Sequence, residues 1–259
     1  MKAVLLVVIV SICVIEWPRG YWNSVSTQAR HLGADLKQYL AIPILAVFAL
    51  FFLVDAALLQ TIQSVSHPLG TGLIDFGGSV GRNGNFWAML IIAYLITKIF
   101  GSRSSTQIVL GTILSSGLTG LVCNIIKVLF LRSRPAAGEG ALSFFNYLGY
   151  AQNGGLFQSL PSGDVALVAG AAAFLFHFAK GTPIKLIIVS IPLLTCASRI
   201  YLNRHWPSDT VLAVGVALVV GNYLYRAYHM RMTNYSQLPL FLRVHRPLLG
   251  FVGSRKHGK

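Results

Sequence analysis

Residues 106–135 read TQIVLGTILSSGLTGLVCNIIKVLFLRSRP, an apolar run that ends in two closely spaced arginines and a proline. A helix needs about 20 mostly apolar residues to cross the hydrocarbon core of a bilayer, and residues 106–131 meet this requirement. Lys127 is the only charged residue inside the run and lies near its end. The stretch therefore predicts a membrane-spanning helix that carries a cluster of positive charge to one face of the membrane.

Five other segments have the same apolar character, at about 39–59, 86–101, 163–180, 184–201 and 208–227. The composition agrees, because only 11% of the residues are charged, whereas a soluble domain carries about 25%. We therefore predict an all-α membrane protein, a six-transmembrane-helix bundle over residues 39–227. Residues 1–38 would form an N-terminal apolar segment and lead-in, and residues 228–259 a basic cytoplasmic tail.

A shorter apolar run, residues 3–15, lies between Lys2 and Glu16. A helix of this length reaches about 20 Å, which is less than the roughly 30 Å of a hydrocarbon core. We expect an extra N-terminal helix that is uncleaved and lies at the interface or inserts partly, because no clear cleavage site follows the run. A signal peptide and a seventh span stay open as alternatives.

Lys and Arg residues predict the orientation, because short cytoplasmic loops carry an excess of both. If the chain before residue 39 is cytoplasmic, the same side receives Lys98, Arg103, Lys180 and Lys185, together with the basic tail. The outer loops are then 60–85, 132–162 and 202–207. We expect a multi-pass protein of a bacterial inner membrane, with these loops on the periplasmic or outer side and a cytoplasmic C-terminus.

Three polar clusters fall at the outer ends of the last four predicted spans, where ionisable groups are costly and usually functional. A helical bundle would bring them together in one pocket. They comprise Lys127 and Arg134, then Ser162, Gly163 and Asp164, and finally Arg199, His205 and Asp209.

The chemistry of this set suits a phosphate group. Lys127, Arg134 and Arg199 supply positive charge, and the arginine fork matches phosphate oxygens. Ser162 and Gly163 open a helix, whose free N–H groups attract anions. His205 precedes Asp209 by four residues, so the carboxylate could hold one imidazole nitrogen and leave the other free to attack phosphorus. Taken singly, Lys127 and Arg132 could be snorkelling interface residues, and Ser162, Ser208 and Asp209 could be helix caps.

The spacing of these residues resembles the three signature motifs of the type-2 phosphatidic acid phosphatase family. The first motif is Lys, six residues, Arg-Pro, as in Lys127–Pro135. The third is Ser-Arg, five residues, His, three residues, Asp, as in Ser198–Asp209. The second is Pro-Ser-Gly-His, and Pro161, Ser162 and Gly163 match it.

The resemblance implies a phosphatase that acts on a membrane lipid without a metal or cofactor, through a phosphohistidine intermediate. His205 would be the nucleophile, and Asp209 would orient it and support its positive charge. The phosphate and its developing charge would be held by Lys127, Arg134, Ser162, Gly163 and Arg199.

Asp164 stands where the family has the histidine that protonates the leaving oxygen. Nearby cations and the helix N-terminus favour the charged carboxylate, which cannot donate a proton. The protein could then be slow or inactive, use another acid such as His67, or act on a substrate whose leaving group needs little help. The last case favours a polyprenyl diphosphate, because phosphate is a far weaker leaving base than an alkoxide. Asp164 could also be an ordinary first-turn helix residue.

Two further functions stay open for this site: a catalytically impaired lipid-phosphate-binding member of the same fold, and a lipid phosphotransferase. A transporter is disfavoured, because Asp55 is the only acid deep in a predicted span. The expected partner is a phosphorylated membrane lipid of the polyprenyl diphosphate, phosphatidate or lipid A type. The formal net charge of +14 does not indicate nucleic acid, because the basic residues flank apolar spans and form no known binding module.

Overall fold

The computed structural model describes residues 46, 47, 49, 54–65 and 67–236, and only the backbone of Pro68 and of residues 230–236. The predicted N-terminal helix at 3–15, most of the first predicted span and most of the basic tail lie outside the described residues. Within the described ranges the regular structure is entirely helical and contains no strand, as predicted.

Eight α-helices form the described part of the chain: α1 (Asp55–Gln63), α2 (Pro68–Gly81), α3 (Asn83–Ile99), α4 (Arg103–Phe130), α5 (Tyr147–Asn153), α6 (Gly163–Leu175), α7 (Thr182–Tyr201) and α8 (Pro207–Ser236). Short 3-10 turns follow at Pro135–Ala137, Gly154–Leu156 and Phe176–Phe178. Three segments are long and apolar enough to cross a membrane, namely Arg103–Ala137, Thr182–Tyr201 and Pro207–His229, and Gly163–Phe178 is a shorter apolar helix. The count of six spans stays a prediction.

The predicted outer loop at 60–85 is wrong, because most of it is helical. The last turn of α1 extends to Gln63, and α2 occupies Pro68–Gly81. Arg82, in an extended conformation with ψ 125°, separates α2 from α3. Glycines carry the contact between α2 and α7: a Cβ added to Gly77 would lie 2.5 Å from the backbone oxygen of Leu194. Glycine is a poor helix former, so packing against α7, and not local propensity, accounts for this helix.

The predicted outer loop at 132–162 is also folded onto the bundle. It contains α5, and its backbone is tied to itself by hydrogen bonds from the Arg134 N–H to the Leu156 oxygen and from the Ser159 N–H to the Arg132 oxygen. These bonds hold residues 132–134 beside Ser159, at the end of α4.

Small residues let α6 pack closely at the centre of the bundle. The Ser115 hydroxyl donates to the Gly170 oxygen at 2.6 Å, and a Cβ on Gly170 would lie 2.6 Å from Oγ1 of Thr119. Apolar side chains, including Phe86, Leu110 and Phe174, form the main core around this contact. The packing brings the C-terminal end of α4, the first turn of α6 and the α7–α8 connection to one end of the molecule.

Candidate active site

All three polar clusters meet at a cavity of about 880 Å³. Its lining includes Lys127, Arg134, Gly163, Asp164, Arg199 and His205. The two remaining predicted site residues, Ser162 and Asp209, lie next to this lining and are completely buried. The structure therefore brings together every residue that the motifs singled out.

The cations of the cavity wall differ in what they contact. Nζ of Lys127 lies 3.3 Å from the position that a Cβ on Gly163 would take, so a larger residue there would crowd the ammonium group. Nη2 of Arg199 donates to the Gly78 oxygen at 2.9 Å. Nε of Arg134 is buried and, among the described residues, has no hydrogen-bond partner. A donor in this state can bind a ligand oxygen without first giving up a protein contact.

Ser162 precedes the first residue of α6 but does not cap that helix. Its side chain makes no capping hydrogen bond, and its buried hydroxyl has no partner among the residues that the structure describes. The backbone N–H of Ser162 instead donates to the backbone oxygen of Asp209 at 3.0 Å, which ties the start of α6 to α8. The hydroxyl is therefore a second polar group without a partner at the edge of the cavity.

His205 is held by a backbone carbonyl. Its Nδ1 lies 2.9 Å from the Ser159 oxygen, and because a carbonyl oxygen only accepts hydrogen bonds, Nδ1 must carry the proton. The lone pair is then on Nε2, the nitrogen that a nucleophilic histidine needs. Burial, with help from the charges of Lys127 and Arg134, lowers the pKa of His205 to about 4. The ring is therefore neutral near pH 7.

Asp209 supports His205 less directly than the sequence predicted. Its Oδ2 lies 3.6 Å from Nδ1 of His205, which is too far for a good hydrogen bond. That oxygen instead accepts from the Ser159 hydroxyl at 2.5 Å and from the Trp206 N–H at 2.8 Å. Ser159 thus contacts both residues, with its carbonyl on the imidazole and its hydroxyl on the carboxylate.

A buried ion-pair network lies behind Asp209, and the sequence interpretation missed it. Arg132, considered there as a snorkelling residue, is fully buried. Its Nη1 lies 2.6 Å from Oδ1 of Asp209, and its Nη2 lies 2.8 Å from Oδ2 of Asp55. Asp55 also accepts hydrogen bonds from the N–H and hydroxyl of Ser208. The available signal was the acid itself, because a carboxylate in an apolar segment needs a partner.

The sequence relates two residues, Asp164 and His67, to protonation of the leaving oxygen. Oδ2 of Asp164 lies 3.2 Å from Nε of Arg199, so the carboxylate is engaged in an ion pair. His67 precedes α2, and its Nδ1 accepts a hydrogen bond from the Leu69 N–H. It is not part of the cavity lining, so the structure does not support it as a substitute acid.

A family model described as the PAP2 superfamily matches residues 108–233. The matched region is therefore similar to the PAP2 superfamily. This confirms the resemblance to type-2 phosphatidic acid phosphatases, and the matched region contains all three motifs. Three helices are long and apolar enough to cross a membrane, which agrees with a membrane protein. The parts of the cavity wall that come from α2 and α3 lie before the matched region.

The chain is also similar to individual proteins. A lipid A 4'-phosphatase of Porphyromonas gingivalis is 24% identical over 181 residues, which are 68% of this chain and 73% of that protein. The crystal structure of Aquifex aeolicus LpxE has a TM-score of 0.51 at 23% identity and covers 67% of this chain and 95% of its own. A transmembrane PAP2-type phosphatidylglycerolphosphate phosphatase from Bacillus subtilis has a TM-score of 0.51 at 16% identity, with 75% and 95% covered. At these identities the two structures show a shared fold.

Proposed function

We propose that this protein is a membrane lipid phosphatase that works through a phosphohistidine on His205. The observation that carries the proposal is the state of His205: a buried, neutral imidazole with the proton on Nδ1, in a cavity wall that also holds Lys127, Arg134 and Arg199. A neutral nitrogen lone pair beside several cations suits attack on an anionic phosphoryl group.

In the first step, Nε2 of His205 forms a bond to phosphorus while the bond from phosphorus to the leaving oxygen breaks. The imidazole gains positive charge, which the Ser159 carbonyl and the nearby Asp209 carboxylate stabilise. Lys127, Arg134 and Arg199 stabilise the negative charge on the phosphoryl oxygens. In the second step, water attacks phosphorus, inorganic phosphate leaves and His205 returns to its neutral form.

The substrate class is a phosphorylated membrane lipid of the phosphatidate, lipid A or polyprenyl diphosphate type. The names of the similar proteins support this class, since one is a lipid A 4'-phosphatase and another a phosphatidylglycerolphosphate phosphatase. The distribution of Lys and Arg supports a site on the periplasmic or outer face of a bacterial inner membrane.

A second candidate function rests on Asp164. Its carboxylate pairs with Arg199 at 3.2 Å, and it stands at the position where the resemblance implies a proton-donating histidine. A protein with this arrangement could bind lipid phosphates without hydrolysing them at a useful rate.

Phosphate release from a panel of lipid phosphates by purified protein separates the two functions. The variants are His205→Ala, Asp164→His and, as a control histidine outside the cavity, His67→Ala. We expect wild type and His67→Ala to release phosphate, and His205→Ala to release none while remaining folded. Activity that appears only in Asp164→His would favour the binding protein, and full activity in His205→Ala would refute the proposed nucleophile.

A further inference from the structure

The break between α2 and α3 lies beside the cavity and has an uneven distribution of polar groups. A helix break leaves carbonyl groups at one helix end and N–H groups at the start of the next helix. Three carbonyls of the last turns of α2 are occupied: Gly77 by the Thr195 hydroxyl, Gly78 by Arg199 and Ser79 by the Asn85 amide. The break also carries the N–H groups at the start of α3 and the Arg82 side chain, which are donors.

Arg82 lines the same cavity as His205. In the described part of the chain no carboxylate forms an ion pair with its guanidinium. The acids of the cavity wall are Asp75, on α2, and Asp164, which pairs with Arg199. The Arg82 side chain is exposed, so its charge is available to a ligand in the cavity.

Charge in the cavity exceeds what one phosphate group can balance. Five cations line it, Arg82, Lys127, Arg134, Arg199 and Arg204, against the two carboxylates of Asp75 and Asp164. A phosphate monoester brings at most about two negative charges, and a second phosphoryl group would bring one more.

The contact between the α2–α3 break and α7 indicates where that second group would lie. A Cβ on Gly81, the neighbour of Arg82, would contact the side chain of Thr195, four residues before Arg199. Four residues of helix rise by about 6 Å, so the break is about one turn deeper in the bundle than Arg199. The cavity continues inward along α4 from Lys127 to Leu121 and Gly117, a distance of about 15 Å of helix. Trp87 also lines this inner part, which suits an apolar chain.

We propose that Arg82, with the start of α3, forms a second anion subsite that binds the chain-side phosphoryl group of a lipid diphosphate. The terminal phosphoryl group then lies at His205, and the lipid chain follows the inner part of the cavity. This inference rests on the proposed phosphatase function and narrows its substrate class.

The hydrolysis of a lipid diphosphate at this site balances without a general acid. Nε2 of His205 bonds to the terminal phosphorus, the bond from that phosphorus to the bridging oxygen breaks, and the electron pair stays on the lipid monophosphate that leaves. Arg82 stabilises the negative charge that develops on this leaving group. No proton from Asp164 is required, because a phosphate is a weak base. Water then releases the terminal phosphate from His205.

The test compares wild type with Arg82→Gln on an isoprenoid diphosphate and on the monophosphate of the same chain. Arg103→Gln is the matched control, because Arg103 is the exposed first residue of α4 and does not line the cavity. Loss of one charge-assisted hydrogen bond should lower kcat/KM for the diphosphate about 10- to 100-fold in Arg82→Gln. We expect kcat/KM for the monophosphate to stay within about twofold of the wild-type value, Arg82→Lys to recover part of the loss, and Arg103→Gln to match wild type. Equal losses on both substrates, or no loss on the diphosphate, would overturn the subsite.

A binding measurement covers the case in which turnover is slow. Inorganic pyrophosphate should protect wild type from thermal unfolding more than inorganic phosphate does, and this preference should disappear in Arg82→Gln but not in Arg103→Gln. If the preference depends on Arg82 but no lipid is hydrolysed, the phosphatase function fails and the subsite stands. If lipids are hydrolysed but the preference is absent or does not depend on Arg82, the subsite fails and the phosphatase function stands.

Discussion

Arg132 and Arg134 lie two residues apart at the end of α4, yet their surroundings are opposite in character. Arg132 is fully buried and pairs with both Asp55 and Asp209. Arg134 is half-buried, lines the cavity and has a buried Nε with no partner in the described ranges. Behind His205 the charges neutralise one another, whereas at the cavity positive charge is in excess. The first arrangement fixes the position of Asp209 beside His205, and the second leaves positive charge available for a ligand.

Replacing Arg132 should have the largest effect and should act on stability. Arg132→Met leaves Asp55 and Asp209 as buried carboxylates without their counter-charge, which costs about 3–5 kcal/mol. We expect a strongly lowered melting temperature in detergent, measured by thermal unfolding, together with loss of activity. If Arg132→Met melts like wild type, the network behind His205 does not hold the site together.

Replacing Arg134 should give the opposite result. Arg134→Met removes a ligand-facing donor without leaving a paired acid behind, so the melting temperature should change little. Loss of a group that stabilises charge in the transition state costs about 10²- to 10³-fold in rate, and kcat/KM for phosphate release should fall by about this factor. A large loss of stability with unchanged kcat/KM would reverse the assigned roles of the two arginines.

Ser159→Ala should have a smaller effect, because it removes only one of the two contacts that Ser159 makes. The backbone carbonyl would still hold Nδ1 of His205, but Oδ2 of Asp209 would lose the hydroxyl donor. A hydrogen bond to a charged group contributes about 2 kcal/mol. We expect a loss of up to about that size in the free energy of unfolding and an intermediate fall in kcat, with KM nearly unchanged. Unchanged values of both would show that Ser159 supports the site through its backbone alone.

A measurement of the protonation state of His205 tests the smallest expected effect, and it can be made on the wild-type protein. In protein labelled with ¹⁵N-histidine, NMR should show His205 neutral, with its proton on Nδ1, at pH 7 and still neutral well below 6.5. The ring should charge only near its lowered pKa of about 4. Since the unfolded chain would take up this proton at a higher pH, the folded state should lose stability as the pH falls from about 6.5 toward 4. A signal that disappears in His205→Ala provides the assignment, and a midpoint near 6.5 would contradict the buried, cation-flanked environment.

The sequence predicted those parts of the molecule that have a strong local pattern. Long apolar runs predicted the helices that became α4, α7 and α8, and the spacing of charged residues at their ends predicted which side chains meet. Helix α2 escaped prediction because Gly77, Gly78 and Gly81 make it a poor helix in isolation, and only its packing against α7 explains it.

The contacts that hold His205 were harder to predict. Ser159 acts on His205 through a backbone carbonyl, which any residue possesses, so its side chain gave no signal. Asp55 lies 77 residues before Arg132, and nothing in the sequence indicates that the two pair. Arg82 was assigned to a loop, because the helix break that places it at the cavity depends on contacts with α7.

The ion pair between Asp55 and Arg132 has a consequence for what counts as a module of this protein. The region matched by the family model starts at residue 108, but one of the two counter-charges of Arg132 comes from residue 55. A fragment cut at the family boundary would keep every motif residue but lose the Asp55 counter-charge of Arg132, which lies beneath the proposed nucleophile. The region that carries the motifs and the ion-pair network that supports them therefore have different borders along this chain.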